Sequence, residues 1–305
     1  FLIVAPGLTI KDRLRVLHVA GHPSWDERFL REYLRRRPDV QLVSFHTLRS
    51  PDVLLSSTDD DTTLIPFPAE DLFVREIEGF DLIVLQDFDL PDIDRDRFAQ
   101  GLTGYVRKGG ALLLVGGSFS LGTRGLWPAY LDPVLPVVAP RISGHPMIEG
   151  RFVVEATPQG ERHPVLSSPR LREMLERALP LRAVTPTGGV DAGATVLLQS
   201  AAEHGVPGSG KPLVVVQPVG AGRVAVVLTD TLWRWSFDPD LDELYRRFLD
   251  SLAAWLSRDP SSASLGVAVQ ARSVLPGESV DADVTFSTDV RDVQALLRRR
   301  SPSGR

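Results

Sequence analysis

Short apolar runs alternate with amphipathic stretches through the first 120 residues of the chain. The run at 15–21 is followed by a capping-box pattern, with Ser24 as N-cap and Glu27 at the third helical position. Apolar side chains at helical spacing then continue up to Pro38. Strand, helix and strand within about 30 residues predict a βαβ unit and therefore a parallel sheet. Buried strands are predicted at 15–21, 40–48, 80–87 and 112–115, and helices at 24–37, 70–77 and 93–107.

The second half of the chain has a different pattern. Gly-rich turns separate several strand-like runs, and the longest helical stretch has its apolar residues on one face. The strands are predicted at 152–155, 194–199, 212–217 and 223–229, and the helices at 171–179 and 241–256. Beyond 259–262, two runs alternate with period two, which is typical of a β-sandwich. We therefore divide the chain into a linker (1–12), an α/β domain (13–258) and a linker with partial β-sandwich strands and a disordered tail (259–305).

Composition narrows the possible functions. The 305 residues include no cysteine, which excludes disulfides, zinc–thiolate sites and cysteine nucleophiles. The net charge is -5 and no stretch concentrates Lys and Arg, so nucleic acid is not an expected partner. No apolar run reaches the about 18 residues that span a bilayer. The chain begins with Phe1, and we expect it to be a piece of a longer protein. No cofactor is predicted.

A glycine turn follows the apolar run at 112–115. Gly116, Gly117 and Ser118 come directly after it, where a parallel strand of an open α/β sheet presents functional groups. A nucleophile elbow occupies such a turn, with its nucleophile between two glycines. Ser118 is therefore a candidate nucleophile. The alternative is that the glycines allow a tight turn and Ser118 caps the next segment.

Several segments resemble a known family when they are taken in order. They are Gly116–Ser120 with Pro133–Val137, His18–Trp25 with Arg28–Leu30, Leu64–Pro68, Phe80–Val84, Gly222–Val224, Asp230–Trp235 and Tyr245–Phe248. This set resembles the class I glutamine amidotransferase-like domain of large bacterial membrane proteins of the von Willebrand A-type or aerotolerance-regulator-like kind. The resemblance implies a flavodoxin-like, mostly parallel sheet flanked by helices, with β-sandwich modules beside it. It also implies a parent anchored in the cell membrane, with this part as a soluble domain.

The chain departs from the family where catalysis is concerned. Class I amidotransferases use a cysteine at the elbow and a histidine and glutamate after a late strand. Here the late strand ends in Val227–Thr231, which contains neither, and cysteine is absent. Glutaminase activity is therefore not expected. A serine hydrolase would need Ser118 and a histidine base, and His22 is the best candidate because it follows the first strand at the same sheet edge.

Other polar and aromatic residues are predicted at this edge. Asp87 and Asp89 follow the third strand and Asp230 follows the late strand, so the carboxylates could form a cluster that holds a metal ion, or could simply cap turns. Arg234 lies between Trp233 and Trp235, which suits stacking or anion recognition. In the alternative, both indoles cover the sheet edge and Arg234 pairs with a carboxylate from the same edge. The ligand-binding candidates are Gly117, Ser118, Trp25, Asp87, Asp230, Trp233 and Arg234, and no metal site is assigned.

We therefore expect a non-catalytic amidotransferase-like domain that acts as an interaction or ligand-sensing module of a larger membrane-anchored protein. Its expected partners are other domains of the parent or separate proteins. One alternative is a hydrolase that uses Ser118 with His22, or a carboxylate-bound metal, at the same edge. A second alternative is a site for a small sugar or acid between Trp25, Asp87 and Trp233.

Overall fold

The computed structural model describes residues 13–46, 68–88, 95–118, 120, 131–138, 140, 147–201, 209–237 and 242–258, together with the backbone of 265–269 and 282–286. The predicted loop at 50–68, Asp89 and the tail after 286 lie outside these residues, apart from Pro68. No helix within the described ranges combines the length and the apolar character that crossing a membrane requires.

Strands and helices alternate through the first half of the chain. The strands are β1 (Leu14–Ala20), β2 (Val40–His46), β3 (Leu82–Gln86), β4 (Ala111–Val115), β5 (Val137–Val138), β6 (Ile148–Phe152) and β7 (Val154–Ala156). The helices between them are α1 (Trp25–Arg36) and α2 (Arg95–Lys108). A π-helical turn (Asp71–Arg75) and a 3-10 turn (Ile77–Gly79) precede β3.

The second half contains mainly strands. They are β8 (Leu181–Val184), β9 (Gly189–Val190), β10 (Thr195–Ser200), β11 (Pro212–Val219), β12 (Gly222–Val227), β13 (Leu265–Val269) and β14 (Ala282–Phe286). The helices are α3 (Pro158–Glu161), α4 (Pro169–Glu176) and α5 (Asp242–Leu256), with 3-10 turns at Pro164–Leu166 and Leu232–Ser236.

An eight-stranded sheet forms the centre of the molecule, in the order β2-β1-β3-β4-β12-β11-β10-β7. The strands from β2 to β12 are parallel, and β11, β10 and β7 continue the sheet in antiparallel fashion. All five residues of β3 and of β4 are buried, as expected for central strands with helices on both faces. The predicted mostly parallel α/β sheet flanked by helices is confirmed.

Local signals explain where α1 begins. The Ser24 hydroxyl accepts a hydrogen bond from the Glu27 backbone N–H at 3.0 Å, so the predicted N-cap is present. The Glu27 side chain does not complete a capping box, because its carboxylate pairs with Arg31 at 2.7 Å. Helix α1 therefore starts at Trp25 and places Asp26, in its first turn, against the sheet edge, where this residue is 2% exposed.

Two predicted elements differ from the observed ones. The helix expected at 70–77 is a π-helical turn in which the Glu76 N–H donates to the Asp71 carbonyl, followed by a 3-10 turn. The strand expected at 152–155 is divided at Val153 into β6, which pairs with β8, and β7, which pairs with β10. Strands β13 and β14 pair with each other in antiparallel fashion, and the β-sandwich that would contain them stays a prediction.

Candidate functional site

The carboxyl ends of four neighbouring strands bring the predicted residues to one edge of the sheet. Strands β1, β3, β4 and β12 are adjacent and parallel, so the residues that follow them leave the sheet on the same side. His22 follows β1, Asp87 follows β3, Gly117 and Ser118 follow β4, and Asp230 follows β12. This edge is where ligands bind in open α/β sheets.

Asp87 has the most unusual backbone at this edge. Its φ is +42°, a left-handed conformation that is uncommon for residues other than glycine, although aspartate tolerates it better than most. The side chain is also nearly inaccessible, since Asp87 is 7% exposed. Backbone strain of this kind is concentrated at functional sites.

The Asp87 carboxyl group fills the space beside the predicted elbow. A Cβ atom added to Gly117 would lie 2.2 Å from Asp87 Cγ and 2.3 Å from Asp87 Oδ1, far inside van der Waals contact. On the other side, a Cβ atom at Gly21 would lie 2.1 Å from the Asp87 carbonyl oxygen. Two glycines therefore enclose Asp87, and no larger residue fits at position 117 while Asp87 keeps this conformation.

His22 is held against the same residue. Its Nδ1 lies 3.2 Å from the Asp87 carbonyl oxygen and 3.5 Å from Asp87 Oδ2. A carbonyl oxygen only accepts hydrogen bonds, so Nδ1 carries the proton and Nε2 carries the lone pair in the neutral ring. This is the orientation of a histidine that acts as a general base.

The serines of the turn have different surroundings. Ser120 is 5% exposed, and its hydroxyl donates to the Gly117 carbonyl oxygen at 3.2 Å, so it stabilises the turn. Ser118 is half-buried directly after Gly117. Its position beside the His22–Asp87 pair along the same edge keeps it a candidate.

A buried chain of polar side chains crosses the sheet toward Asp26. The Ser44 hydroxyl lies 3.1 Å from His18 Nδ1, and His18 Nε2 donates to Gln86 Oε1 at 3.0 Å. Gln86 Nε2 donates to Asp26 Oδ2 at 3.2 Å, and the Trp233 N–H donates to Asp26 Oδ1 at 2.8 Å. Both oxygens of the Asp26 carboxyl group are therefore engaged, and a network links β2 to the 3-10 turn after β12.

Burial shifts the pKa of two members of this hydrogen-bonded network, His18 and Asp26. Desolvation lowers the pKa of His18 to about 4, so the ring is neutral at pH 7. Desolvation raises the pKa of Asp26 to about 7, against the opposing effect of its hydrogen bond from the Trp233 N–H, and repulsion from Asp230 adds to the rise. Sequence reasoning missed Asp26, because an aspartate in the first turn of a helix is ordinarily a solvated residue that complements the helix dipole.

Asp230 is the second carboxylate with a raised pKa. Burial is the main cause, and repulsion from Asp87 contributes. Its Oδ1 atom is buried and accepts no hydrogen bond within the described part of the chain. Arg234 Nε and Ser236 Oγ are also buried and form no hydrogen bond there. Buried polar atoms without partners are rare in folded proteins. Among the residues that the structure describes, no group of three His, Asp or Glu side chains could hold a metal ion.

Four aromatic rings lie beside this edge, and we call them the aromatic surface: Trp25, Phe29, Trp233 and Phe237. Trp233 contacts the other three, with ring centroids 5.9 Å from Trp25, 6.1 Å from Phe29 and 5.1 Å from Phe237. Trp25 is 55% exposed and Phe237 is 60% exposed. The two tryptophans of the 230–235 segment differ, since Trp233 is half-buried, whereas Trp235 is fully buried and its indole N–H donates to the Leu179 carbonyl.

Comparison with solved structures supports the fold. The chain is similar to two cytoplasmic proteins of Salmonella typhimurium, each 16% identical, with TM-scores of 0.51 and 0.48; each likeness covers 80% of this chain and 99% of the other. A ThuA-like protein from Parabacteroides merdae is 14% identical with a TM-score of 0.45, covering 80% of this chain and 90% of that one. No protein-family model and no curated protein matches the chain. At these identities the likeness speaks for the architecture alone.

The remaining candidates lie in two groups. Trp25 and Trp233 are neighbours in the aromatic surface, whereas Asp87 lies against Gly117, Gly21 and His22. Arg234 lies with its guanidinium carbon 6.0 Å from the Trp233 ring centroid. The predicted edge therefore consists of two parts, a carboxylate–histidine group over β1, β3 and β4 and the aromatic surface over α1 and the turn after β12.

Proposed function

We propose that this chain is an amidotransferase-like domain without glutaminase chemistry, which acts as an interaction or ligand-sensing module. One observation carries the proposal. In the resemblance the nucleophile position falls on Gly117, Ser118 or Phe119, and the space beside Gly117 contains the carboxyl group of Asp87. A negative group at this point would also oppose the oxyanion that forms in acyl transfer. The edge is therefore built for something other than attack on an amide.

Binding is supported by groups that the fold leaves unused. Asp230 Oδ1, Arg234 Nε and Ser236 Oγ are buried without partners among the described residues, and each could be satisfied by a ligand. The exposed rings of Trp25 and Phe237 add apolar area of the kind that marks interaction sites. Turnover requires a nucleophile or base in contact with substrate. Recognition requires only unpaired polar atoms and exposed apolar area of this kind.

The proposal includes a larger parent protein. The family resemblance supports a membrane-anchored bacterial parent whose other domains, or separate proteins, are the partners of this one. Strands β13 and β14 after α5 agree with a further β module next to the domain. Fractionation of cells that produce the complete protein tests this part, and recovery in the soluble fraction without detergent would contradict it.

Two measurements test the absence of glutaminase and the presence of binding. We expect the purified chain to release no glutamate or ammonia from glutamine above a buffer control. In saturation-transfer NMR with a panel of monosaccharides and short carboxylic acids, we expect at least one probe to contact the protein and to lose contact in Asp230→Asn. Asp132→Asn, at an exposed position, is the matched control. Glutamine turnover would overturn the proposal, and equal signals in all proteins would exclude Asp230 from it.

A second candidate function is a hydrolase. It is favoured by the hydrogen bond from His22 Nδ1 to the Asp87 carbonyl, which directs the basic Nε2 of the ring away from Asp87. With Ser118 as nucleophile, the purified chain would hydrolyse p-nitrophenyl acetate, and both Ser118→Ala and His22→Gln would abolish the activity. Hydrolysis that survives either substitution would exclude this mechanism.

A further inference from the structure

Two arginines flank the aromatic surface, and both differ from the other arginines nearby. Arg28 is exposed, and its guanidinium carbon lies 5.6 Å from the Trp25 ring centroid; that of Arg234 lies 6.0 Å from the Trp233 ring centroid. Within the described ranges, neither forms an ion pair with a carboxylate. The arginines that follow Arg28 on and just after α1 are all paired: Arg31 with Glu27, Arg35 and Arg36 with Glu32, and Arg37 with Asp39 and Asp250.

The packing of the rings limits the kinds of ligand that can bind them. The centroids of Trp25, Phe29 and Phe237 lie within about one ring width of Trp233, since the longest of these distances is 6.1 Å. The rings therefore pack against each other and leave no gap for a cation between their faces, so they do not form an aromatic cage for a quaternary ammonium group. The charges at the margin are positive, and they favour a negatively charged occupant.

We propose that the aromatic surface, with Arg28 and Arg234, binds an acidic peptide segment that carries an aromatic or aliphatic anchor residue. The anchor packs on the exposed faces of Trp25 and Phe237, and carboxylates of the segment pair with the two arginines. Tryptophan and arginine are the residues that most often carry binding energy at protein interfaces. This inference rests on the proposed interaction function and names the partner of that surface.

The charge distribution favours a peptide over other anions. A nucleic acid or an anionic membrane presents a dense array of negative charge and needs a broad field of unpaired cations. Among the described residues, two arginines lie against rings of the aromatic surface, and those that follow Arg28 on and just after α1 are already paired with glutamates and aspartates. The buried Asp26 accepts the Trp233 N–H directly beneath the surface, and the whole chain has a net charge of -5. Both would repel a polyanion more than a segment with two or three carboxylates.

Selection from a random peptide library displayed on phage tests the proposal. The chain is immobilised, and binders are counter-selected on the Trp25→Ala variant, which is expected to fold because Trp25 is largely exposed. We expect enriched sequences to place Asp or Glu beside Phe, Trp, Leu or Ile. For an enriched peptide, fluorescence anisotropy should show at least about tenfold weaker binding to Trp25→Ala and to Phe237→Ser.

The two arginines are expected to contribute a smaller, salt-dependent part of the peptide binding free energy. Arg28→Gln and Arg234→Gln should each weaken binding about three- to fivefold, and the difference from the unaltered chain should shrink at high salt. Arg75→Gln, at an exposed arginine outside the surface, is the matched control and should bind normally. The same peptide with lysine in place of its acidic residues should not bind.

Three results would overturn the proposal. They are enrichment of basic peptides, equal binding to the unaltered chain and to Trp25→Ala, and binding of an oligodeoxythymidine or of phosphatidylserine vesicles that is lost in Trp25→Ala. The last would assign the surface to nucleic acid or to membrane. Peptides that bind outside the aromatic surface would contradict this inference but not the proposed interaction function. Glutamine turnover would contradict the proposed function but not the assignment of this surface.

Discussion

The two ends of the same parallel strands differ in how completely their polar groups are paired. At the amino end, the buried Tyr105 hydroxyl donates to the Phe80 carbonyl at 3.1 Å and accepts the Ala111 N–H at 3.3 Å. The Arg15 N–H donates to Asp81 Oδ2 at 2.9 Å. Each of these contacts ties a loop to the neighbouring strand, and together they give this boundary of the sheet well-paired polar groups.

The carboxyl end has the opposite character. Asp87 has a left-handed backbone, Asp26 is a buried carboxyl group with a raised pKa, and Asp230 Oδ1 has no partner among the described residues. None of these features is needed to hold the strands together, and each lowers stability. Backbone strain, raised carboxyl pKa values and three buried polar atoms without described partners therefore gather at the carboxyl end, as is common at functional sites. The other such atom, Gln217 Oε1, lies on β11.

The largest expected effect is that of Gly21→Ala. The new methyl group would lie 2.1 Å from a backbone oxygen, which cannot rotate away, so the loop after β3 has to move. We expect a loss of about 3 kcal/mol in the free energy of unfolding, measured by urea denaturation. The helix position Gly104, where an added Cβ meets no atom within 4 Å, is the control, and Gly104→Ala should be neutral or stabilising. A neutral Gly21→Ala would contradict the clamped geometry.

A double-mutant cycle tests the second glycine contact. Gly117→Ala should cost about 2 kcal/mol, because its methyl group meets the Asp87 side chain. Asp87→Gly removes that side chain and relieves the positive φ, so the double variant should recover most of the loss. Strict additivity of the two changes would show that Asp87 does not fill the space beside Gly117.

The buried chain predicts a compensated pH dependence. Asp26, with its pKa raised to about 7, stabilises the fold at low pH and loses this contribution as the pH rises through about 7. His18, with its pKa lowered to about 4, stabilises the fold above its unfolded value of 6.5 and loses this contribution as the pH falls through about 4. Between about pH 4 and about pH 6.5, acidification therefore increases the stabilisation from Asp26 and decreases that from His18, so the two contributions oppose each other.

Asp26→Asn removes the Asp26 contribution and leaves the pH dependence that comes from His18. Between about pH 6.5 and about pH 4.5 the variant should lose about 2 kcal/mol more stability on acidification than the unaltered chain does. His163, whose pKa burial also lowers to about 4, is present in both proteins and cancels in the difference. Parallel curves of unfolding free energy against pH for the two proteins would contradict the raised pKa of Asp26.

The smallest effect is expected at the amino end. Tyr105→Phe deletes a buried hydroxyl that pairs with two backbone groups, and it should cost about 1 kcal/mol in urea denaturation without changing any binding measured at the other end. If this variant altered peptide binding to the aromatic surface, the two ends would not be independent.

The sequence predicts the architecture well because apolar runs report burial directly. The four parallel strands after the linker, their order of appearance and the N-cap at Ser24 follow from patterns a few residues long. The π-helical turn before β3 was not predictable, since its extra residue is set by tertiary packing: a Cβ atom at Gly101 of α2 would lie 2.3 Å from the Phe73 carbonyl.

The sequence predicts where the site residues lie in the fold, but not how buried they are or which residues they contact. Strand ends indicated that His22, Asp87, Gly117 and Asp230 share an edge, because parallel strands all end on one side. Nothing in the sequence distinguishes Asp26 from a solvated helix-capping acid, or tells which tryptophan of 233 and 235 faces solvent in a 3-10 turn. Those properties depend on contacts with residues more than 50 positions away, such as Gln86 and Leu179.

The enclosure of Asp87 by two glycines also constrains how this protein can change over evolutionary time. Placing a larger residue at position 117 requires loss of the Asp87 side chain first, and that loss releases His22 from its carboxylate. Taken one substitution at a time, the first step toward a cysteine at this position is destabilising, and the alternative first step dismantles the existing site. Substitutions at these two positions are therefore coupled by epistasis, and selection for folding alone is enough to maintain the arrangement.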